Sequence, residues 1–148
     1  MLDRLLRLLL ITTLLLSGVS GAYADCFDDA AAFHRVNPTV LRAIAIVESG
    51  GKASAVNHNG NGSVDYGEMQ INSIHLPELA QYGMSRDDLF DGCKSVYTGA
   101  WLLRKSIDKN GNTWAAIGAY HSATPIFRDQ YAAKVKAIAE RLLQYYGQ

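Results

Sequence analysis

The sequence predicts an α+β fold that is mainly α, a single domain with a small β-hairpin element. Three observations predict it. Two stretches carry apolar residues at helical spacing, Val96, Ala100, Leu103 and Ile107 in one and Phe127, Tyr131, Val135, Ile138, Leu142 and Tyr145 in the other. The segment from Val56 to Gly67 is instead rich in Asn and Gly, with Asn59-Gly60 and Asn61-Gly62, which favours tight turns and a hairpin. Of the 148 residues the first 24 read as an export signal, and the remaining 124 suffice for one compact domain and not for two.

The signal consists of Arg4 and Arg7, an apolar stretch from Leu8 to Leu16, and small residues ending Ala22-Tyr23-Ala24, so cleavage is expected after Ala24. That stretch is interrupted by Thr12 and Thr13 and is too short for an easy membrane span; after cleavage no segment is expected to span. Asp25 precedes Cys26 where lipid attachment wants a small residue. Residues 25–148 then form the folded domain. Its first helix is expected over Asp28 to Arg35. Asn37-Pro38 supplies a cap and a first-turn proline for a helix from Thr39 to Glu48, and Gly50-Gly51 ends it. Asp65 is placed on the hairpin. A short helix is expected from Ile71 to Leu79, with its end made uncertain by Pro77. Asp91-Gly92 precedes a helix from Lys94 to Asp108, which Asn110-Gly111 stops. Another short helix spans Thr113 to His121, and Pro125 opens the last, which runs to Tyr146. The apolar stripes of these helices are assigned to packing.

Composition excludes several function classes. Without Arg4, Arg7 and Asp3 the exported chain keeps 12 of its 14 basic and 13 of its 14 acidic residues, a net charge near −1 with no basic footprint for nucleic acid. Cys26 and Cys93 both lie in the exported part, where the surroundings are oxidising, so they are expected to pair, the alternative being two buried free thiols. Closing that loop stabilises by about 4 kcal/mol on the chain-entropy account. His34, His58, His75 and His121 lack metal-ligand spacing, and neither a G-x-S-x-G elbow nor a glycine-rich phosphate loop occurs. No metal or cofactor is implied.

The chemistry concentrates on two carboxylates. Glu48 closes the apolar run Ala43-Ile44-Ala45-Ile46-Val47, and Asp65 follows it by seventeen positions, in Asp65-Tyr66-Gly67-Glu68-Met69-Gln70-Ile71-Asn72. At a helix C-terminus among aliphatic neighbours a carboxylate is disfavoured by both the dipole and desolvation, and both raise its pKa. A shift of about two units makes ionised Glu48 cost on the order of 2.7 kcal/mol at neutral pH. A carboxylic acid kept protonated can give a proton to a leaving oxygen while a more solvated carboxylate faces a developing cation, which is the equipment of glycosidic bond cleavage. Glu48 on a solvated helix end and Asp65 as a turn cap are the bland readings.

Glu48-Ser49, Asp65-Tyr66-Gly67-x-Met69-Gln70-Ile71-Asn72 and Gly118-Ala119-Tyr120-His121-Ser122 together resemble the lysozyme-like lytic transglycosylases (SLT type) of bacterial secretion, conjugation and pilus systems. Gly62-Ser63-x-Asp65-Tyr66-Gly67-x-x-Gln70-Ile71-Asn72-Ser73 is also similar to animal lysozyme. The resemblance covers Cys26 to Tyr146. It implies a lysozyme-like domain whose groove takes peptidoglycan glycan strands and cuts the β-1,4 bond between N-acetylmuramic acid and N-acetylglucosamine in the periplasm. Glu48 is implied as acid and then base, Asp65 as second carboxylate, and Ser49, Met69, Gln70, Asn72, Tyr120 and His121 as substrate-binding residues. It further implies components of a secretion, conjugation or pilus machine as partners and local wall opening as the task. His121 departs from the family's Tyr-Asn pattern, and Glu68 stands where the family has an apolar residue.

Three alternatives stay open. A lysozyme-type hydrolase has the same substrate and releases hydrolytic rather than anhydro products, and a non-catalytic wall-binding assembly factor keeps the fold without cleavage. Asn57-x-Asn59-x-Asn61-Gly62-x-Val64-Asp65-x-x-Glu68 also fits most of an EF-hand calcium loop, although it has Asn where the first Asp belongs and no helix ending at its start.

Overall fold

A computed structural model of the protein describes residues 25–146, so the export signal expected over residues 1–24 lies outside the described residues. Within them the architecture is a mainly helical domain with one three-stranded antiparallel sheet.

Helix α1 (Cys26–His34) starts where Asp25 accepts the Phe27 N–H (3.1 Å), two residues before the expected Asp28. Its first turn is tied to that of a later helix by the Cys26–Cys93 disulfide, with Cα atoms 5.4 Å apart. Helix α2 (Pro38–Ser49) opens as expected: the Asn37 Oδ1 accepts the Val40 N–H (3.1 Å), and Pro38 sits where a missing N–H does no harm. Leu41, Ala43, Ile44 and Ala45 bury its inner face. Gly50, left-handed at φ 66°, closes it by donating to the Ile46 carbonyl, so Glu48 stands in the last turn.

Strands β1 (Val56–His58), β2 (Val64–Tyr66) and β3 (Ile71–Asn72) follow in sheet order, with Asn57 opposite Asp65 and Asp65 opposite Asn72. The helix expected from Ile71 is corrected here. Ile71-Asn72 pairs as a strand, the Asn72 Oδ1 accepts the Ile74 N–H to cap a 3₁₀ turn (Ser73–His75), and helix α3 covers only Leu76–Ala80. Pro77 lies in its first turn, where it is tolerated, and does not end it. A second 3₁₀ turn (Asp87–Phe90) leads to α4 (Gly92–Asn110), capped by Asp91 through the Lys94 N–H. Val96, Ala100, Leu103 and Ile107 are all buried, as their spacing predicts. Helix α5 (Trp114–Gly118), capped by Thr113, is shorter than the predicted Thr113 to His121. Helix α6 (Pro125–Tyr146) has the predicted start and end. Its stripe packs only in part: Tyr131 and Val135 are buried, while Phe127 and Tyr145 are 55% and 77% exposed. Ile138 and Leu142 are partly buried against the core, so the stripe is covered along its middle and open at Phe127 and Tyr145.

The core lies where α6 packs on α2 and α5 and where α1 packs on α4. Two close approaches fix the sheet against it. Gly67 (φ 75°) meets the Leu89 carbonyl so closely that a β-carbon would overlap it, and the Met69 side chain folds over Gly99, 2.6 Å from where a β-carbon would stand. Among the described residues no helix is long and apolar enough to cross a membrane.

Candidate active site

The last turn of α2 and the sheet face each other across a cavity of about 750 Å³, lined by Glu48 and Ser49 on one side and Asp65, Gln70 and Asn72 on the other. Tyr120 and His121, from the turn after α5, complete the wall. Burial drives the Glu48 carboxyl up to about 7, the nearby Asp65 charge pushes the same way, and a hydrogen bond from Tyr131 pulls it partly back. The Tyr131 hydroxyl donates to Glu48 Oε1 at 2.6 Å from the second turn of α6, fixing the orientation of the acid. Burial, with Glu48 beside it, holds the Tyr131 hydroxyl well above the usual phenol range, so it remains a donor.

Asp65 is held differently. Its Oδ1 accepts from the Asn72 side-chain amide (2.6 Å), and its Oδ2 accepts from Asn59 (2.9 Å) and, at 3.4 Å, from Asn57. The strand register produces this collar, since Asn57 and Asn72 lie directly opposite Asp65 on the two flanking strands. Three neutral amides hold the carboxylate, and among the described residues no cation pairs with it. One carboxyl is thus desolvated and raised to about 7 while the other lines the same groove as an acceptor held by side-chain amides, the division of labour that glycosidic cleavage requires.

The remaining predicted residues take distinct places. The Ser49 hydroxyl donates to the Glu68 carbonyl (2.7 Å) and accepts the Lys52 N–H, clamping the end of α2 to the segment after β2. Gln70 adopts φ 49°, and its side-chain amide donates to the Gly67 carbonyl (2.9 Å). Tyr120 donates to the Met69 carbonyl (3.0 Å) and not to Glu48; burial first, and then Glu48 and Asp65, raise its pKa. Met69 does not reach the groove with its side chain, which is wholly buried against Gly99. The exposed His121 ring stacks on Tyr131, with centroids 4.8 Å apart and planes 3° from parallel. Glu68 points away from the groove toward Gly92 and Gly51, and burial, with Asp25 adding to it, raises its pKa. Glu68, the last position of the calcium-loop spacing, therefore stands apart from Asn57, Asn59, Asn61 and Asp65, which line the groove. Among the described residues no cluster of three or more His, Cys, Asp or Glu side chains could hold a metal ion.

Sequence reasoning missed Tyr131, assigning it to packing. Its signal was a phenol hydroxyl in a stripe read as core, since a buried tyrosine hydroxyl needs a partner. The amide collar had a signal too: Asn57 and Asn59 alternate on one face of a strand and its turn.

The transglycosylase SLT domain model matches residues 25–141 of the chain. Over 130 residues the chain is 38% identical to the invasion protein IagB of Salmonella typhimurium, covering 84% of this chain and 81% of that protein. It is 44% identical over 102 residues to the protein IpgF of Shigella flexneri, covering 68% and 67% of the two chains. A peptidoglycan-binding-like protein of Escherichia coli O157:H7 is 34% identical over 142 residues, covering 88% and 85%.

Proposed function

The chain belongs to the SLT family of lytic transglycosylases, and from that premise we propose that it cuts the β-1,4 bond between N-acetylmuramic acid and N-acetylglucosamine, with Glu48 as the catalytic acid. The observation that carries this reading is the Glu48 carboxyl, buried, oriented by Tyr131 and pushed up to about 7 beside a sugar-sized groove. In this reading protonated Glu48 gives its proton to the leaving oxygen. Positive charge grows on the sugar ring, and Asp65, fixed by its three amides, stabilises it without reorganising. Glu48, now ionised, takes the proton of the sugar's own 6-hydroxyl as that oxygen closes an anhydro ring. Tyr131 donates to the carboxylate that forms, while Gln70, Asn72, Tyr120 and His121 shape the groove.

Asp65 also supports a second reading, a lysozyme-type hydrolase in which water replaces the 6-hydroxyl. Mass spectrometry of muropeptides released from purified cell wall separates the two, because anhydro ends lack one water relative to hydrolysed ends. Anhydro products are expected. Hydrolysed ends alone would move the chain to the second reading, and binding to the wall without release of soluble fragments would favour a non-catalytic assembly factor.

The Cys26–Cys93 disulfide supports an oxidising, periplasmic setting. The relative named as an invasion protein supports a role in local wall opening for a trans-envelope secretion, conjugation or pilus machine. Deletion of the gene is expected to impair assembly of that machine, with rescue by the parent chain and not by Glu48→Gln.

A further inference from the structure

A second cavity, of about 270 Å³, borders Glu48 and His121 and so continues the groove along α6. Its added wall is one face of that helix, where Phe127, Gln130, Tyr131 and Lys134 fall at the i, i+3, i+4 and i+7 positions. Tyr131 is accounted for by Glu48. The other three are not. Phe127 is 55% exposed, a large ring left uncovered beside the acid. Lys134 joins no ion pair among the described residues, whereas on the same helix Arg128 pairs with Asp129 and Lys136 with Glu140.

An apolar ring, an amide and an unpaired cation beside the bond to be cut match one feature of the substrate. Every second sugar of a peptidoglycan strand carries a lactyl ether extended by a short peptide, which is apolar near the ring and bears free carboxylates further out. We propose that this cavity binds that peptide-bearing substituent, with Phe127 covering its apolar part, Gln130 hydrogen-bonding its amides and Lys134 pairing with a carboxylate. The substrate class is then glycan carrying its peptides rather than glycan stripped of them. A lysine suits the task, because a point charge on a flexible stem follows a carboxylate whose position varies along a mobile peptide. The inference rests on the groove being the cleavage site for peptidoglycan.

The test compares glycan strands with their peptides intact and the same strands after amidase treatment, as the ratio of the two kcat/KM values. Lys134→Ala is expected to lower that ratio about fivefold, the size of one partly exposed ion pair, and Lys134→Glu to lower it further. Lys136→Ala, on the same helix and already paired, is the control and is expected to leave the ratio unchanged. Equal ratios for the parent and both Lys134 variants would overturn the proposal. Binding provides an independent arm: a soluble disaccharide-peptide is titrated calorimetrically into Glu48→Gln and into Glu48→Gln with Lys134→Ala, each against the peptide-free disaccharide. Peptide-dependent tightening that disappears with Lys134 supports the cavity's role even where the parent cleaves neither strand, which would defeat only the proposed reaction. Tightening that persists without Lys134, or is absent from both proteins, overturns the role.

Discussion

Replacing Glu48 by Gln isolates the cost of keeping the acid where it is. The folded carboxyl is held at about 7 against an ordinary 4.5, a difference of about 2.5 units. At about 1.36 kcal/mol per unit, ionised Glu48 destabilises the fold by about 3 kcal/mol at pH 7 and above, and the penalty vanishes below about pH 4.5, where the carboxyl is protonated both folded and unfolded. Because the folded state holds this proton more tightly, this contribution to stability falls as pH rises from about 4.5 to about 7. Glutamine is isosteric and uncharged, and its carbonyl oxygen can still accept from Tyr131. Urea unfolding at pH 4 should therefore give matching free energies for the parent and Glu48→Gln. At pH 7.5 the variant should be more stable by up to about 3 kcal/mol, a rise in Tm of roughly 10 °C for a domain of this size, while cleavage of cell wall is abolished. Equal stability at both pH values, or a less stable variant at pH 7.5, would refute burial as the cause of the raised pKa.

The pH profile of cleavage should have an alkaline limb near pH 7, set by loss of the Glu48 proton. Asp65→Asn removes a charge that raises the Glu48 pKa, so that limb should move to lower pH and kcat should fall; cleavage as fast as the parent's would remove Asp65 from the mechanism. Tyr131→Phe removes a donor to the ionised form, so the limb should move to higher pH and kcat should drop about tenfold as the acid loses its orientation. Replacing Cys26 and Cys93 together by Ser should cost about 4 kcal/mol in urea unfolding, with cleavage at 25 °C retained, because neither cysteine lines the groove. Gly67→Ala should destabilise by about 3 kcal/mol or more, read by thermal unfolding, since its β-carbon meets the Leu89 carbonyl and its φ is positive.

Local signals in the sequence carried most of the helical frame. Asn37-Pro38, Asp91-Gly92 and Thr113 mark helix starts whose hydrogen bonds are made within three residues, so they can be read without knowing the rest of the fold. Glu48 was legible for the same reason, because a carboxylate closing an apolar helix just before Gly50-Gly51 advertises its own desolvation. Ile71-Asn72 was misread because a short segment with scattered apolar residues reads as a helix as well as a strand followed by a turn. Pairing with Asp65 across the sheet settles it, and that partner is set by the tight loop at Gly67 packed on Leu89. Tyr131 was invisible as a site residue because its partner is 83 positions away and its own stripe reads as core. Tyr120 illustrates the same limit: its spelling suggested a contact with the acid or the sugar, and the hydrogen bond from its hydroxyl to the Met69 carbonyl, 51 positions away, could not be read from it.

The buried acid also explains the arrangement around it. α2 has to end at Gly50 for Glu48 to stand beside the groove, and α6 has to lie across that end for Tyr131 to reach it. The sheet is held so that Asp65 faces the same space. The most direct measurement is the titration of Glu48 itself, followed through the side-chain carboxyl carbons by ¹³C NMR. The sequence has only four glutamates, Glu48, Glu68, Glu78 and Glu140, and the resonance lost in Glu48→Gln makes the assignment. A midpoint near 7 that falls in Asp65→Asn is the expected result. A midpoint between 4 and 5 that is indifferent to Asp65 would contradict the account.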